Sequence, residues 1–243
     1  MKKNIIYGMH PVMKAIQSGQ HIDKIFVQKN LQGQSFYKLK DLLETHSIAY
    51  KIVPIEKLHR LTRENHQGVV AFVSPVKIWT LEELLSKETQ NIQSFILLDG
   101  ITDPRNFGAI IRTAVAADVS GVIISENNSA PINEDVVKTS AGGIYNIPIA
   151  RSKHLLDAIF LLKSYDFKIF AASEKSNTLI YDVNFKEKFG LIMGSEGKGI
   201  SKNLLKNSDQ IIKIPMSDKM QSLNVSVATG VILYEYVRQH IKG

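Results

Sequence analysis

The stretch Phe95-Ile96-Leu97-Leu98-Asp99-Gly100-Ile101-Thr102-Asp103-Pro104-Arg105-Asn106-Phe107-Gly108-Ala109-Ile110-Ile111-Arg112 begins as an unbroken apolar run, breaks at glycine and proline, and resumes at helical spacing. Four apolar residues without alternation read as a strand buried on both faces, the pattern of a parallel sheet. Ala109 to Ala117 reads as the helix that follows it. The alternation continues downstream: strand Val119 to Ser125, helix over 133–140, short strand Ile147-Pro148-Ile149, helix Leu155 to Lys163, strand Lys168 to Ala172. Then come strand Phe189 to Met193, helix Ser201 to Leu205 and the β-branched run Ile211 to Ile214. This order predicts an α/β domain over residues 94–243, its sheet mostly parallel and covered on both faces.

The first part of the chain has a different pattern. Met9 to Gln17 places apolar residues at helical spacing, Lys24 to Val27 reads as a strand, Phe36 to His46 as a helix, Tyr50 to Pro54 and Gly68 to Val73 as further strands. These elements predict a small α/β domain over residues 1–75, within the usual domain size. Residues 76–93, with Leu81-Glu82-Glu83-Leu84-Leu85 among charges, read as a connecting helix and linker.

Charge divides along the same line. Residues 1–76 carry 11 Lys and Arg against 5 Asp and Glu, whereas residues 77–243 carry 19 against 18. A basic module joined to a nearly neutral one suggests capture of a polyanion by the first and chemistry by the second. The chain of 243 residues has no cysteine, which excludes disulfides and thiolate metal sites, and its scattered histidines lack ligand spacing, so no metal is expected. No stretch is long and apolar enough for a membrane span or a signal peptide, so the expectation is a cytoplasmic protein with no membrane partner.

Three loops carry more polar residues than turns need. In the first, Arg112 is flanked by Ile110, Ile111, Ala114 and Val115, where a desolvated guanidinium would require an anionic partner: Glu196, Asp118 or an RNA phosphate. The second, Gly194-Ser195-Glu196-Gly197-Lys198-Gly199, lies between strand and helix as phosphate loops do. It lacks G-x-x-x-x-G-K-[ST] and G-x-G-x-x-G, and Glu196 would repel a phosphate, so a neutral or partly cationic ligand suits it better. In the third, Ile214-Pro215-Met216 leads to Ser222, Asn224 and Ser226 at alternate positions before a helix-like run. One helix cap needs one such residue, and three are present.

Taken together, Asn106-x-Gly108-x-x-x-Arg112-x-Ala114, Leu191-x-x-Gly194-x-Glu196-x-x-Gly199 and Ile214-Pro215-Met216 with Ser222-Leu223-Asn224-Val225-Ser226-Val227-Ala228 resemble the three motifs of the SpoU/TrmH family of RNA ribose 2′-O-methyltransferases. The resemblance covers about residues 94–240. The first module, with Tyr7-Gly8-Met9-His10-Pro11-Val12 and His66-Gln67-Gly68-Val69, is similar to the ribosomal-protein-like substrate-binding domain that often precedes that catalytic domain. With the tail Val237-Arg238-Gln239, it looks closest to the branch that methylates a guanosine ribose in large-subunit (23S) ribosomal RNA.

The resemblance implies a C-terminal trefoil knot of the SPOUT type, S-adenosylmethionine as cofactor, RNA as partner and a homodimer whose interface helps form the site. It implies Arg112 as the catalytic residue; Asn106, Glu196, Ser222 and Asn224 as groups that orient Arg112, the ribose or the cofactor; and Gly194, Ile214, Met216 and Leu223 as the residues against the adenosine part. Ser226 is left as a helix cap. Asp218, where the family usually has glycine, implies a less permissive backbone, and Gln221 stands where an acid is frequent. Competing readings are a transfer-RNA or resistance-type ribosomal-RNA methyltransferase, an RNA-binding assembly factor without activity, and a nucleotide enzyme of the phosphate-loop kind.

Overall fold

The structure, a computed structural model, describes residues 5–17, 20–74, 76–86 and 94–241. The end of the expected linker, residues 87–93, lies outside the described residues. The chain divides into two compact units, Met1–Lys77 with Ile132–Glu134, and Ile78–Pro131 with Asp135–Gly243.

The first unit is built from β1 (Ile5–Tyr7), α1 (Met9–Gln17), β2 (Ile22–Gln28), α2 (Gln34–Thr45), β3 (Tyr50–Val53), α3 (Ile55–Leu61) and β4 (Val69–Val73). Its sheet has the order β1-β4-β2-β3, antiparallel except for the β2–β3 pair. α1 turns Met9, Val12 and Ile16 inward, on one face by the 3.6 period, and α2 adds Leu39 and Leu43; these bury Ile25, Val27, Val69 and Ala71 from one side of the sheet. The other side has a smaller cluster of Phe26, Val53, Leu58 and Val70, with Leu58 supplied by α3. The pattern did not predict β1 or α3: three residues and seven residues are too few for either periodicity to declare itself.

The second unit contains β5 (Ile78–Trp79), α4 (Leu81–Ser86), β6 (Ser94–Asp99), α5 (Pro104–Ala116), β7 (Gly121–Ser125), α6 (Glu134–Thr139), β8 (Ile149–Ser152), α7 (Leu155–Ser164) and β9 (Lys168–Ala172). It continues with β10 (Phe189–Gly194), α8 (Lys202–Asn207), β11 (Gln210–Ile212) and α9 (Val225–His240). Seven strands pair in the order β11-β9-β10-β6-β7-β8-β5, every pair parallel. Ile96, Leu97 and Leu98 are buried on both faces of the sheet, each contributing about 1.5–3 kcal/mol of transfer free energy. α4, α7 and α8 cover one face through Leu81, Leu84, Ile159, Leu162 and Leu204. α5 and α9 pack together, and α9 lies on β10, where Phe170, Phe185, Phe189 and Tyr236 meet mostly edge to face.

The described part of the expected linker is thus an edge strand and a core helix: Ile78 pairs with Ile149, and Leu81 and Leu84 are buried. Strand β8 starts at Ile149 rather than Ile147, because Pro148 has no N–H to give to a ladder. From β6 the chain lays down β7 and β8 to one side, then returns to place β9 and β10 on the other. The reversal falls between β6 and β10, where Asp99 stands beside Gly194. Parallel α/β sheets hold ligands at such a switch point, beyond the carboxyl ends of the strands.

Candidate active site

The loops that leave β6 and β10 set the first two groups. After β6, Asp103 accepts from the backbone N–H groups of Arg105 (2.7 Å) and Asn106 (2.9 Å), and Pro104 occupies the first helical turn, where its missing N–H costs nothing. This cap starts α5 five residues earlier than the apolar pattern predicts and fixes Asn106 in its first turn. After β10, Gly199 N–H donates to the Ser195 carbonyl at 2.8 Å, which closes the glycine loop. Asp99 then accepts from Ser201 N–H at 2.7 Å and ties the end of that loop to the end of β6. Gly194 allows the closure: a Cβ there would lie 2.2 Å from the Gly199 carbonyl carbon.

The third group starts α9. Asn224 Oδ1 accepts from the backbone N–H groups of Ser226 (3.0 Å) and Val227 (3.3 Å) and from the Ser226 hydroxyl (2.6 Å). These donors fix which end of the amide is oxygen, so its Nδ2 faces the other way. There it donates to Asn106 Oδ1 at 3.0 Å and to Glu196 Oε1, while Asn106 Nδ2 donates to the same Glu196 oxygen at 3.2 Å. Asn106, Glu196 and Asn224 therefore form a closed ring of three side chains from three loops. The carboxylate sits beside the N-terminus of the 16-residue helix α9, where the helix dipole favours negative charge. The cap of α9 is Asn224, which corrects the expectation for Ser226.

Beside the ring lies a cavity of about 960 Å³, walled by the glycine loop, the segment after β11 and the first turns of α9. Gly194, Glu196, Ile214, Met216, Ser222 and Leu223, all expected site residues, line it. The main-chain amides and carbonyls of Ile214, Met216 and Leu223 make no hydrogen bond among the described residues, which leaves donors and acceptors beside apolar side chains, a combination suited to a purine nucleoside. Its volume and its chemistry fit S-adenosylmethionine. Asp218 lies in the turn at the cavity wall, and its φ is not positive, so the backbone there has no need of glycine.

Arg112 stands apart. The expectation of a desolvated guanidinium is overturned: Arg112 is exposed and makes no ion pair or side-chain hydrogen bond among the described residues, neither with Glu196 nor with Asp118. The helical period explains this. Phe107, Gly108, Ile110, Ile111 and Ala114 form the buried face of α5, and Arg105, Arg112 and Ala116 lie on the outer one. Six residues beyond Asn106, Arg112 is about 9 Å further along the helix. Two residues that build the site, Asp99 and Asp103, were not singled out from sequence. Asp103 had a readable signal, an acid before proline at the start of a helical run.

A glycine-looped cavity and a polar ring at the switch point of an all-parallel sheet define a nucleoside-cofactor enzyme of the α/β class. A family model described as the SpoU rRNA Methylase family matches residues 93–234, and one described as RNA 2′-O ribose methyltransferase substrate binding matches residues 5–79. The chain belongs to the SpoU family and is an S-adenosylmethionine-dependent RNA ribose 2′-O-methyltransferase. It is 36% identical, over 98% of its length and 97% of the relative's, to a protein of Staphylococcus epidermidis named as a TrmH family tRNA/rRNA methyltransferase. The AdoMet-bound rRNA methyltransferase from Sinorhizobium meliloti superposes with a TM-score of 0.63 at 25% identity, over 99% of this chain and 88% of that one. The SpoU methyltransferase AviRb from Streptomyces viridochromogenes, in complex with AdoMet, shares the fold with a TM-score of 0.64 at 23% identity, over 99% and 92%. No helix among the described residues is long and apolar enough to cross a membrane, and no group of three or more metal-ligating side chains occurs among them.

Proposed function

We propose that this enzyme, as a cytoplasmic homodimer, methylates the ribose 2′-hydroxyl of a guanosine in large-subunit ribosomal RNA. The observation that carries the reading is the ring of Asn106, Glu196 and Asn224, which meets the cavity at Glu196, since it joins all three family motifs at one place. The preference for ribosomal RNA rests on the N-terminal unit, matched as a substrate-binding domain, and on its concentration of positive charge.

Bound S-adenosylmethionine supplies an electrophilic methyl group on a sulfonium. The chain's part is to hold the acceptor oxygen in line and to offset the negative charge that grows on it as its proton passes to solvent water. Main-chain groups of Ile214, Met216 and Leu223, with the close backbone at Gly194, hold the nucleoside part. Glu196, fixed by two amide donors, and Ser222, whose hydroxyl has no partner among the described residues, orient the ribose and cofactor across the cavity. Arg112 anchors an RNA phosphate. A guanidinium does not give up its proton in proteins, so charge stabilisation, not base catalysis, is its role. The trefoil knot belongs to the same reading, with the segment after β11 as the threaded strand.

The exposed face of α9 supports the dimer. Val227 (51% exposed), Tyr234 (56%) and Ile241 (67%) recur every seven residues, an apolar stripe on one side of the helix and its end.

Ribose-methylation mapping of RNA from deletion and wild-type cells tests the substrate. The expected result is one large-subunit guanosine that loses its 2′-O-methyl group. An intact ribosomal map with a missing transfer-RNA mark overturns it in favour of transfer RNA.

A further inference from the structure

We infer that the α3 side of the N-terminal sheet is a stacking platform for an unpaired stretch of the RNA substrate, centred on Phe72 and ringed by Lys24, Lys51 and Lys57. The inference rests on the reading of this chain as an RNA methyltransferase and assigns the surface by which its first unit holds RNA.

Register fixes which residues share this face. Lys24 and Ile5 flank Phe72 on the neighbouring strands, Phe26 stands opposite Val70, and Lys51 lies beside Phe26. α1 and α2 cover the opposite side of the sheet over Ile25, Val27, Val69 and Ala71, leaving Ile52 of the edge strand exposed, whereas α3, seven residues long, seals only Leu58 and part of Leu61 over this one. Phe72 is left partly exposed, its ring edge to face with Phe26 at 6.0 Å and 83°. The ammonium groups of Lys24 and Lys57 lie 5.7 and 5.0 Å from the centroid of the same Phe26 ring. Lys24, Lys51 and Lys57 are all exposed, and none is paired with a carboxylate among the described residues.

Like charges gathered round one aromatic pair without a directly paired carboxylate oppose one another, and a polyanion relieves that repulsion. The geometry selects the kind of polyanion. A duplex offers only its outer backbone and grooves, whereas an unpaired strand offers base faces to a ring and phosphates to the lysines at its rim. An acidic protein would satisfy the lysines and leave the aromatic centre unused.

The test uses the full chain and a fluorescent single-stranded uridine 12-mer, with a self-complementary RNA duplex as comparison, measured by anisotropy over a salt series. Each phosphate contact on a single strand contributes about 0.7 to the slope of log affinity against log salt, so the Lys24→Ala, Lys51→Ala, Lys57→Ala triple variant is expected to lower that slope by about 2. Phe72→Leu keeps an apolar core residue; it is expected to weaken single-strand binding at least about fivefold, the scale of one lost base stack, and duplex binding less than twofold. Unchanged calorimetric binding of S-adenosylmethionine and a single cooperative thermal transition establish that the variants are folded. An unchanged salt slope in the triple variant, or equal loss of duplex and single-strand binding in Phe72→Leu, overturns the assignment. Methyl transfer by the wild-type chain to ribosomal RNA, assayed in parallel, tests the underlying reading separately.

Discussion

Asn106 and Asn224, 118 residues apart in the chain, are joined amide to amide at 3.0 Å, and both donate to one oxygen of Glu196. The starts of α5 and α9 are thereby linked through a carboxylate from the glycine loop. Asn224 has two duties that different substitutions separate.

Asn224→Ser keeps an oxygen for the N–H groups of α9 and removes the amide that reaches Glu196 and Asn106. Thermal unfolding is expected to change by less than about 0.5 kcal/mol, since serine caps about as well as asparagine, and methyl transfer to fall at least tenfold. Asn224→Ala loses both duties and is expected to cost about 1 kcal/mol of stability as well. Equal activity in Asn224→Ser and wild type would show that the ring has no part in catalysis.

Arg112 has no side-chain partner among the described residues, so Arg112→Ala is expected to leave the unfolding midpoint and S-adenosylmethionine affinity unchanged. Transfer should drop by about two orders of magnitude or more, as when a transition-state donor is removed. Arg112→Lys retains charge without the planar fork and is expected to recover little. Collapse of cofactor binding in Arg112→Ala, followed by calorimetry, counts against the role given to it.

The two glycines of one loop are expected to behave oppositely. Gly194→Ala forces a methyl group to within 2.2 Å of backbone at Gly199, which must open the loop, whereas a Cβ at Gly197 meets nothing within 4 Å. The first substitution is expected to cost about 2 kcal/mol or more and to empty the cofactor site, and the second less than about 0.5 kcal/mol. Denaturant midpoints and cofactor calorimetry on the pair decide it.

Glu235, buried on α9, is held by Arg238 through two 2.8 Å bonds and by Gln239, which also donates to the Val183 carbonyl. The Arg238 hydrogen bonds lead in holding its carboxyl below the ordinary value of 4.5, against the opposing effect of burial. A lowered folded value means that the clamp's stabilisation is complete above the unfolded value and lost as pH falls through the folded one. Glu235→Gln is therefore expected to lower the thermal midpoint at pH 7, with the two proteins converging below pH 4.5. A difference that persists undiminished in acid would assign the effect to packing instead.

Local pattern carried the second unit far: β9 falls on the expected residues Lys168–Ala172, and β10 extends the expected strand only to Gly194. Both are runs of apolar residues bounded by charge, and a fully buried strand can hardly look otherwise. The order of strands was not legible, because nothing local says that β10 lies between β6 and β9. β5 escaped for a related reason: two residues show no period, and their pairing with β8 is a matter of sheet edge. The motifs named Asn106, Glu196 and Asn224, but their closed ring depends on distances between loops 28 to 118 residues apart. The placement of Arg112 was misjudged from its neighbours in sequence, where a helical wheel turns it away from Ile110, Ile111 and Ala114.

The cavity is closed by chain that comes after every strand of the sheet: the segment from Ile214 to Leu223, then α9 with Asn224 at its head. A ribosome synthesising this protein therefore releases the whole sheet before it releases the last member of the polar ring. Order of translation acts as a timer. Until α9 has docked against α5 and β10, the nascent chain has the walls of an enzyme and no site, so competence for cofactor and RNA is the last property that folding confers.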